Sequence, residues 1–208
     1  MSACCLCSSL TSDRSRRSWD EPLFESANFV ALASLGAMVE GWMLIVPRDH
    51  FLSMGALPIE LANEVMEFRA RVENHSARKY GTLRAFEHGP SRAKRQVGCG
   101  VDHAHLHLVP IDFDLISAAQ PYLPSGLEWS NADLGACRAA HEHERDYLYI
   151  EQPLGEGRIA VHDELGSQIF RKAIADQLGI PEQFNWRDFP QFANIARTIE
   201  GCRAALAS

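Results

Sequence analysis

The period of the apolar positions changes several times along the chain, and each change marks an element. Residues 27–33 (ANFVALA) and Gly41 to Val46 (GWMLIV) are short apolar runs of strand length. The second is stopped by Pro47 and reads as a buried central strand. Pro58 then opens a helix, where its missing N–H costs nothing. Leu61, Val65, Phe68 and Val72 follow at spacings of four, three and four, which puts them on one helical face, and Gly81 ends the segment. Thr82 to Glu87 and His103 to Val109 are two further strand candidates, the latter closed by Pro110.

The second half is patterned differently. Residues 111–130 contain Pro121, Pro124 and Gly126 and read as an irregular crossing segment, with a short helix within 131–145. Asp146 to Glu151 and Arg158 to His162 alternate as a β-hairpin around Gly155 and Gly157. Leu165 to Leu178 is amphipathic and ends at Gly179 and Pro181, and a last helix covers about residues 190–206. Strands with one long helix, then a hairpin with two helices, make an α+β fold built on a largely antiparallel sheet. The expected organisation is a domain over 1–112 and a C-terminal extension over 113–208 that packs on the same unit.

Composition narrows the function. The 208 residues include 20 Lys plus Arg and 27 Asp plus Glu, a net charge of −7, which argues against a general nucleic-acid binder. No run approaches the roughly 20 apolar residues of a membrane span. The start, Met-Ser-Ala-Cys-Cys-Leu-Cys, lacks the basic and apolar regions of a signal peptide. The expectation is a cytoplasmic protein whose six Cys are thiols or metal ligands rather than a disulfide framework.

The richest stretch is Gly98-Cys99-Gly100-Val101-Asp102-His103-Ala104-His105-Leu106-His107. In a strand, His103, His105 and His107 share a face, roughly 6–7 Å apart along it. Gly98 and Gly100 let the backbone approach a ligand closely. Two chemistries fit: a metal centre at His105, His107 and Asp112, or nucleophilic attack of an imidazole on phosphorus. Arg92, Lys94 and Arg95 in the preceding loop read either as a solvated loop or as a phosphate-attracting rim. Glu87 and His88 read either as strand-end polarity or as polar contacts near a phosphate.

His103-Ala-His105-Leu-His107-Leu-Val resembles the signature of the histidine-triad (HIT) nucleotide hydrolases and transferases. Gly41-Trp-Met-Leu-Ile-Val-Pro47-Arg-Asp-His50 resembles a second segment of that family, and Cys4-x-x-Cys7 resembles the N-terminal pair of its zinc-containing bacterial members. The resemblance implies that His105 attacks the α-phosphate of a nucleotide conjugate and forms a nucleotidyl-histidine. His107 would contact the phosphate and leaving group, and His103 would support the geometry. Backbone N–H groups at Gly98, Cys99 and Gly100, with Arg92 or Arg95, would neutralise developing charge. It also implies a structural zinc ion on Cys4, Cys7, His50 and His103, a closed set with no position left for water. A small-molecule nucleotide is the implied partner. Most family members form homodimers, and the long tail leaves that state open here.

Three positions depart from the family pattern. Trp42 stands where a His follows the strand-opening Gly, Ser34 where an acid or amide holds the ribose, and Cys99 where a Gln precedes the triad. These leave a nucleotide-binding module with little turnover as an alternative. Ser167-Gln-Ile-Phe-Arg171 and Asn185-Trp186-Arg187 loosely resemble the segment following the triad-like domain of CwfJ-type proteins.

Overall fold

The computed structural model describes residues 4–11, 20–93, 100–151 and 156–206. Its spine is an eight-stranded antiparallel sheet in the order β1-β2-β3-β5-β4-β7-β8-β6. The strands are β1 (Phe24–Glu25), β2 (Phe29–Ala33), β3 (Met43–Pro47), β4 (Arg84–Gly89), β5 (Leu106–Val109), β6 (Ser130–Asn131), β7 (Tyr147–Glu151) and β8 (Gly157–Val161). The apolar runs at β2 and β3 do not alternate because both faces of the sheet are covered there; all of β2 is buried.

Helices α1 (Cys5–Thr11), α2 (Ala62–Tyr80), α3 (Leu115–Ala119), α4 (Leu134–Glu142), α5 (Ile169–Gln177) and α6 (Phe192–Leu206) complete the fold. Pro58 precedes a 3-10 turn, Ile59–Leu61, and α2 proper starts at Ala62. The expected stripe holds: Val65, Phe68 and Val72 are buried, and Gly81 closes α2 at φ +71°. Helix α5 starts later than its pattern suggests, because Gln168 adopts a left-handed φ of +56° just before it. The segment 111–130 is not wholly irregular. Asp114 caps α3 by accepting from the Ile116 and Ser117 N–H groups at 2.8 and 3.1 Å. That helix is too short for its periodicity to register in sequence.

One face of the sheet packs Met43, Ile45, Leu106 and Tyr147 against Val65, Phe68 and Val72 of α2 and Ile195 and Ile199 of α6. The other face carries Trp42, Phe86, Leu148 and Ile150 under Phe170 and Ile174 of α5. At the opposite end of that second face, Val30, Leu32 and Val46 pack against Leu6 and Leu10 of α1. Each fully buried side chain of this size contributes about 1.5–3 kcal/mol. β7 pairs with β4, so strands from the second half of the chain extend the same sheet. No helix among the described residues is long and apolar enough to cross a membrane.

Candidate active site

β5 begins at Leu106, not at His103, and this changes what the three histidines do. His105 and His107 line a cavity of about 290 Å³ on the second face of the sheet. Its lining is apolar along Leu6, Leu32 and Leu44, aromatic at Trp186, and basic at His105, His107 and Arg171. Ser34 also lines it, with its hydroxyl donating to the Leu35 carbonyl at 3.4 Å. His103 instead turns into a cluster with Cys4, Cys7 and His50, whose ligand atoms all lie within 4.8 Å of one another.

That cluster can hold a metal ion. His103 Nδ1 lies 3.4 Å from both Cys4 Sγ and Cys7 Sγ, and His50 Nδ1 lies 3.3 Å from Cys7 Sγ. A tetrahedral ion with M–S near 2.3 Å and M–N near 2.0 Å requires S···N edges of about 3.5 Å. His103 Nε2 donates to the Pro47 carbonyl at 2.9 Å, which leaves Nδ1 as the lone-pair nitrogen facing the thiols. Among the described residues this is the single such cluster; Asp112 is exposed beyond Pro110, beside Tyr80 and Arg84, and does not join His105 and His107.

The two cavity histidines are held in defined tautomers. His105 Nδ1 donates to the His103 carbonyl at 2.7 Å, which places the lone pair on Nε2. His107 Nδ1 accepts from the Trp42 indole N–H at 3.0 Å, which places its proton on Nε2. Phe86, directly across from His107 in the β4–β5 ladder, stacks on it at 4.4 Å. Burial, then the positive potential of His105 and Arg171, holds His107 well below the usual histidine range.

The remaining expected contacts divide by location. Glu87 and His88 are adjacent on a strand and so face opposite ways. Glu87 is a correction: it does not reach the cavity but sits on the face packed by α2 and α6, accepting from the Met54 N–H at 2.7 Å and from the Tyr147 hydroxyl at 2.5 Å. Burial pushes it up to about 7, against the pull of those two donors. His88 shares the face of Phe86, beside Phe170, but it too is a correction: it does not line the cavity, and its buried Nε2 has no hydrogen-bond partner. Burial, then the charges of His105 and Lys172, brings it down to about 3. Arg92 is a second correction, an exposed side chain paired with Glu144 and absent from the cavity lining. Gly100 is exposed at φ +70° and its carbonyl accepts from Arg187 at 3.0 Å; it does not line the cavity. Lys94, Arg95, Gly98 and Cys99 lie outside the described residues.

Sequence reasoning missed three contributors. Trp42 reads as a lost imidazole, yet its indole N–H is what orients His107. Arg171 and Trp186 enter the cavity from the second half of the chain, and no spacing rule points to either. The sequence signal that did touch both was the loose resemblance of Ser167 to Arg171 and Asn185 to Arg187 to CwfJ-type segments, which assigned neither a role.

Residues 18–114 match the model of the HIT domain. No curated protein matches the chain. Among solved structures, a hypothetical histidine triad nucleotide-binding protein from Sulfolobus tokodaii strain7 is 21% identical, over 53% of this chain and 71% of that one, with a TM-score of 0.42. A HIT family hydrolase from Clostridium thermocellum is 18% identical, over 55% of this chain and 96% of that one, with a TM-score of 0.41. A Hit-like protein involved in cell-cycle regulation from Bartonella henselae is 11% identical, over 59% and 84%, with a TM-score of 0.36. These three likenesses carry no argument about what the chain does. The family-model match, with the triad and its sheet in place, shows that residues 18–114 are a HIT domain.

Proposed function

We propose that this protein is a nucleotide hydrolase or nucleotidyltransferase that attacks the α-phosphate of a nucleoside phosphate conjugate through His105. One observation carries the reading: the 2.7 Å bond from His105 Nδ1 to the His103 carbonyl, which makes Nε2 the nucleophilic nitrogen of a residue lining the cavity. The conjugate is a dinucleoside polyphosphate, a phosphoramidate or a nucleotide sugar.

In the first step the Nε2 lone pair forms a bond to the α-phosphorus. The bond from phosphorus to the leaving group breaks, and its electron pair departs with that group. Nδ1–H stays on the His103 carbonyl, which stabilises the positive charge that develops on the ring. His107 Nε2–H donates to a phosphoryl oxygen. In the second step water or another acceptor attacks phosphorus on the side opposite Nε2, and an attacking water gives up one proton to the solvent or to the departed leaving group as its O–P bond forms. The P–N bond breaks and its pair returns to His105. The apolar lining at Leu6, Leu32 and Leu44 suits a base, and the end carrying the two imidazoles and Arg171 suits the phosphates.

We assign zinc to Cys4, Cys7, His50 and His103 on the chemistry of two thiolates and two imidazoles. With four protein ligands the ion supplies a cross-link and activates no water. His103 thereby joins the metal site through its ring to the nucleophile through its carbonyl. We place the protein in the cytoplasm, where such thiols stay reduced.

The test is turnover of a panel of adenylyl and guanylyl conjugates by wild type and His105→Ala. The reading expects product from wild type alone. Tight nucleotide binding with no turnover supports instead a binding module, the second reading, which Ser34 favours by offering only a hydroxyl in the cavity.

A further inference from the structure

We propose that Arg171, which lies outside the HIT domain, is a positioning residue of this site: it clamps the Trp42 indole that holds His107 as a neutral hydrogen-bond donor. The kinetic part rests on the function proposed above, whereas the structural part does not.

Arg171 projects from α5, and its side chain is only 2% exposed. Its Nε donates to the Phe184 carbonyl at 2.8 Å and its Nη2 to the Gly36 carbonyl at 2.6 Å. The guanidinium lies 5.0 Å over the Trp42 ring. The loop between β2 and β3 is shaped to receive it. Gly36 has φ +75°, and a Cβ there would come within 2.7 Å of Nη2 and 2.4 Å of Trp186 Cβ. A planar fork that stacks on one face while donating in its plane is what Arg supplies and Lys does not.

Trp42 is fully buried, and its single polar group is a donor. That N–H meets His107 Nδ1 at 3.0 Å. If Nδ1 carried a proton, two donors would face each other at that distance. The other tautomer of His107 and its protonated form are therefore both excluded while the indole stays in place, and Phe86 stacks on the same ring to fix its plane. The guanidinium adds an unfavourable field for a charged His107. A segment beyond the family domain thus sets which nitrogen of His107 can donate to the phosphate.

The test is ¹⁵N NMR of the histidine rings in the full chain, with His107 identified by its loss in His107→Gln. Wild type should show His107 as the Nε2–H tautomer. Arg171→Met should give a mixture of tautomers and slow adduct formation by about 10- to 100-fold, the scale of a small misplacement of a catalytic group. Trp42→Phe should give the same signature, and Trp42→His, which restores an N–H, should recover part of it. A folded Arg171→Met with the wild-type His107 signal and rate overturns the proposal. If that variant does not fold, Arg171→Lys decides instead: it should shift the His107 signal, and an unchanged signal overturns the proposal. Wild type without turnover would sink the proposed function while the ring spectra still judge Arg171.

Discussion

Glu87 and His88 are neighbours in sequence, both buried, and they belong to opposite faces of one sheet. On the face packed by α2 and α6 both Glu87 oxygens accept hydrogen bonds, one from the Met54 backbone and one from Tyr147, so this carboxyl ties β4 to β7 and to the turn after His50. On the cavity face His88 Nε2 is buried without a partner, next to two further imidazoles. A buried polar atom left unpaired costs about 1–3 kcal/mol. The contrast separates a carboxyl that holds the fold through two hydrogen bonds from an imidazole that is buried unpaired and outside the cavity lining. Adjacent residues of similar burial thus take opposite surroundings because the strand period is two.

The largest effect that could break this contrast is on activity. His105→Ala should lower turnover by about 10³-fold or more, because a nucleophile has no substitute. Glu87→Gln, on the other face, should leave kcat within about threefold of wild type while lowering the melting temperature. Equal losses of activity from both would show that the two faces are not functionally distinct.

Metal removal comes next. Cys7→Ser, or chelation of the wild type, should release the ion and lower the melting temperature by roughly 5–10 °C. Because Cys5, Leu6 and Ser9 of α1 line the cavity, nucleotide affinity should fall with it. Metal analysis beside calorimetric nucleotide titration checks both. Retention of the ion by Cys7→Ser would contradict the assignment of Cys4, Cys7, His50 and His103.

The pH dependence of stability sharpens the contrast further. Glu87 is raised from 4.5 to about 7, so the folded state binds its proton more tightly, and the associated stability is full below 4.5 and lost as pH rises through 7. His88 is depressed from 6.5 to about 3, so its contribution is present above 6.5 and lost as pH falls through 3. Between pH 4.5 and 6.5 the two slopes have opposite signs. Denaturation across this window should show Glu87→Gln tilting the curve towards higher stability with rising pH, and His88→Leu tilting it the other way. Tilts of the same sign would refute the assigned environments.

The smallest expected effect is at Arg92. Its pair with Glu144 is exposed, and such pairs contribute little. Arg92→Ala should leave activity within about twofold of wild type, and a large loss would return it to the phosphate site.

The elements were legible in sequence wherever the apolar period ran long enough, as in α2 and the β7–β8 hairpin. Short or locally capped pieces, such as α3, were not. The two cavity histidines were visible because their spacing is local to one motif, whereas the set Cys4, Cys7, His50 and His103, which could hold a metal ion, comes from three separate segments and was reached only through the resemblance to the HIT family. Trp42, Arg171 and Trp186 were not read as site residues, because they meet only through the fold; Trp42 and Arg171 are 129 positions apart (171 − 42) yet stacked. Glu87 and His88 were legible as a pair but not as opposites, because the expected strand ended at Glu87, whereas β4 runs Arg84–Gly89, carries both and is buried throughout.

The most direct measurement is to quench wild type during turnover of a ¹⁵N-histidine-labelled sample and map the adduct by mass spectrometry and ³¹P–¹⁵N coupling. The account predicts a nucleotidyl group on Nε2 of His105, absent in His105→Ala. An adduct on Nδ1 or on another residue, or turnover with full activity in His105→Ala, would contradict it.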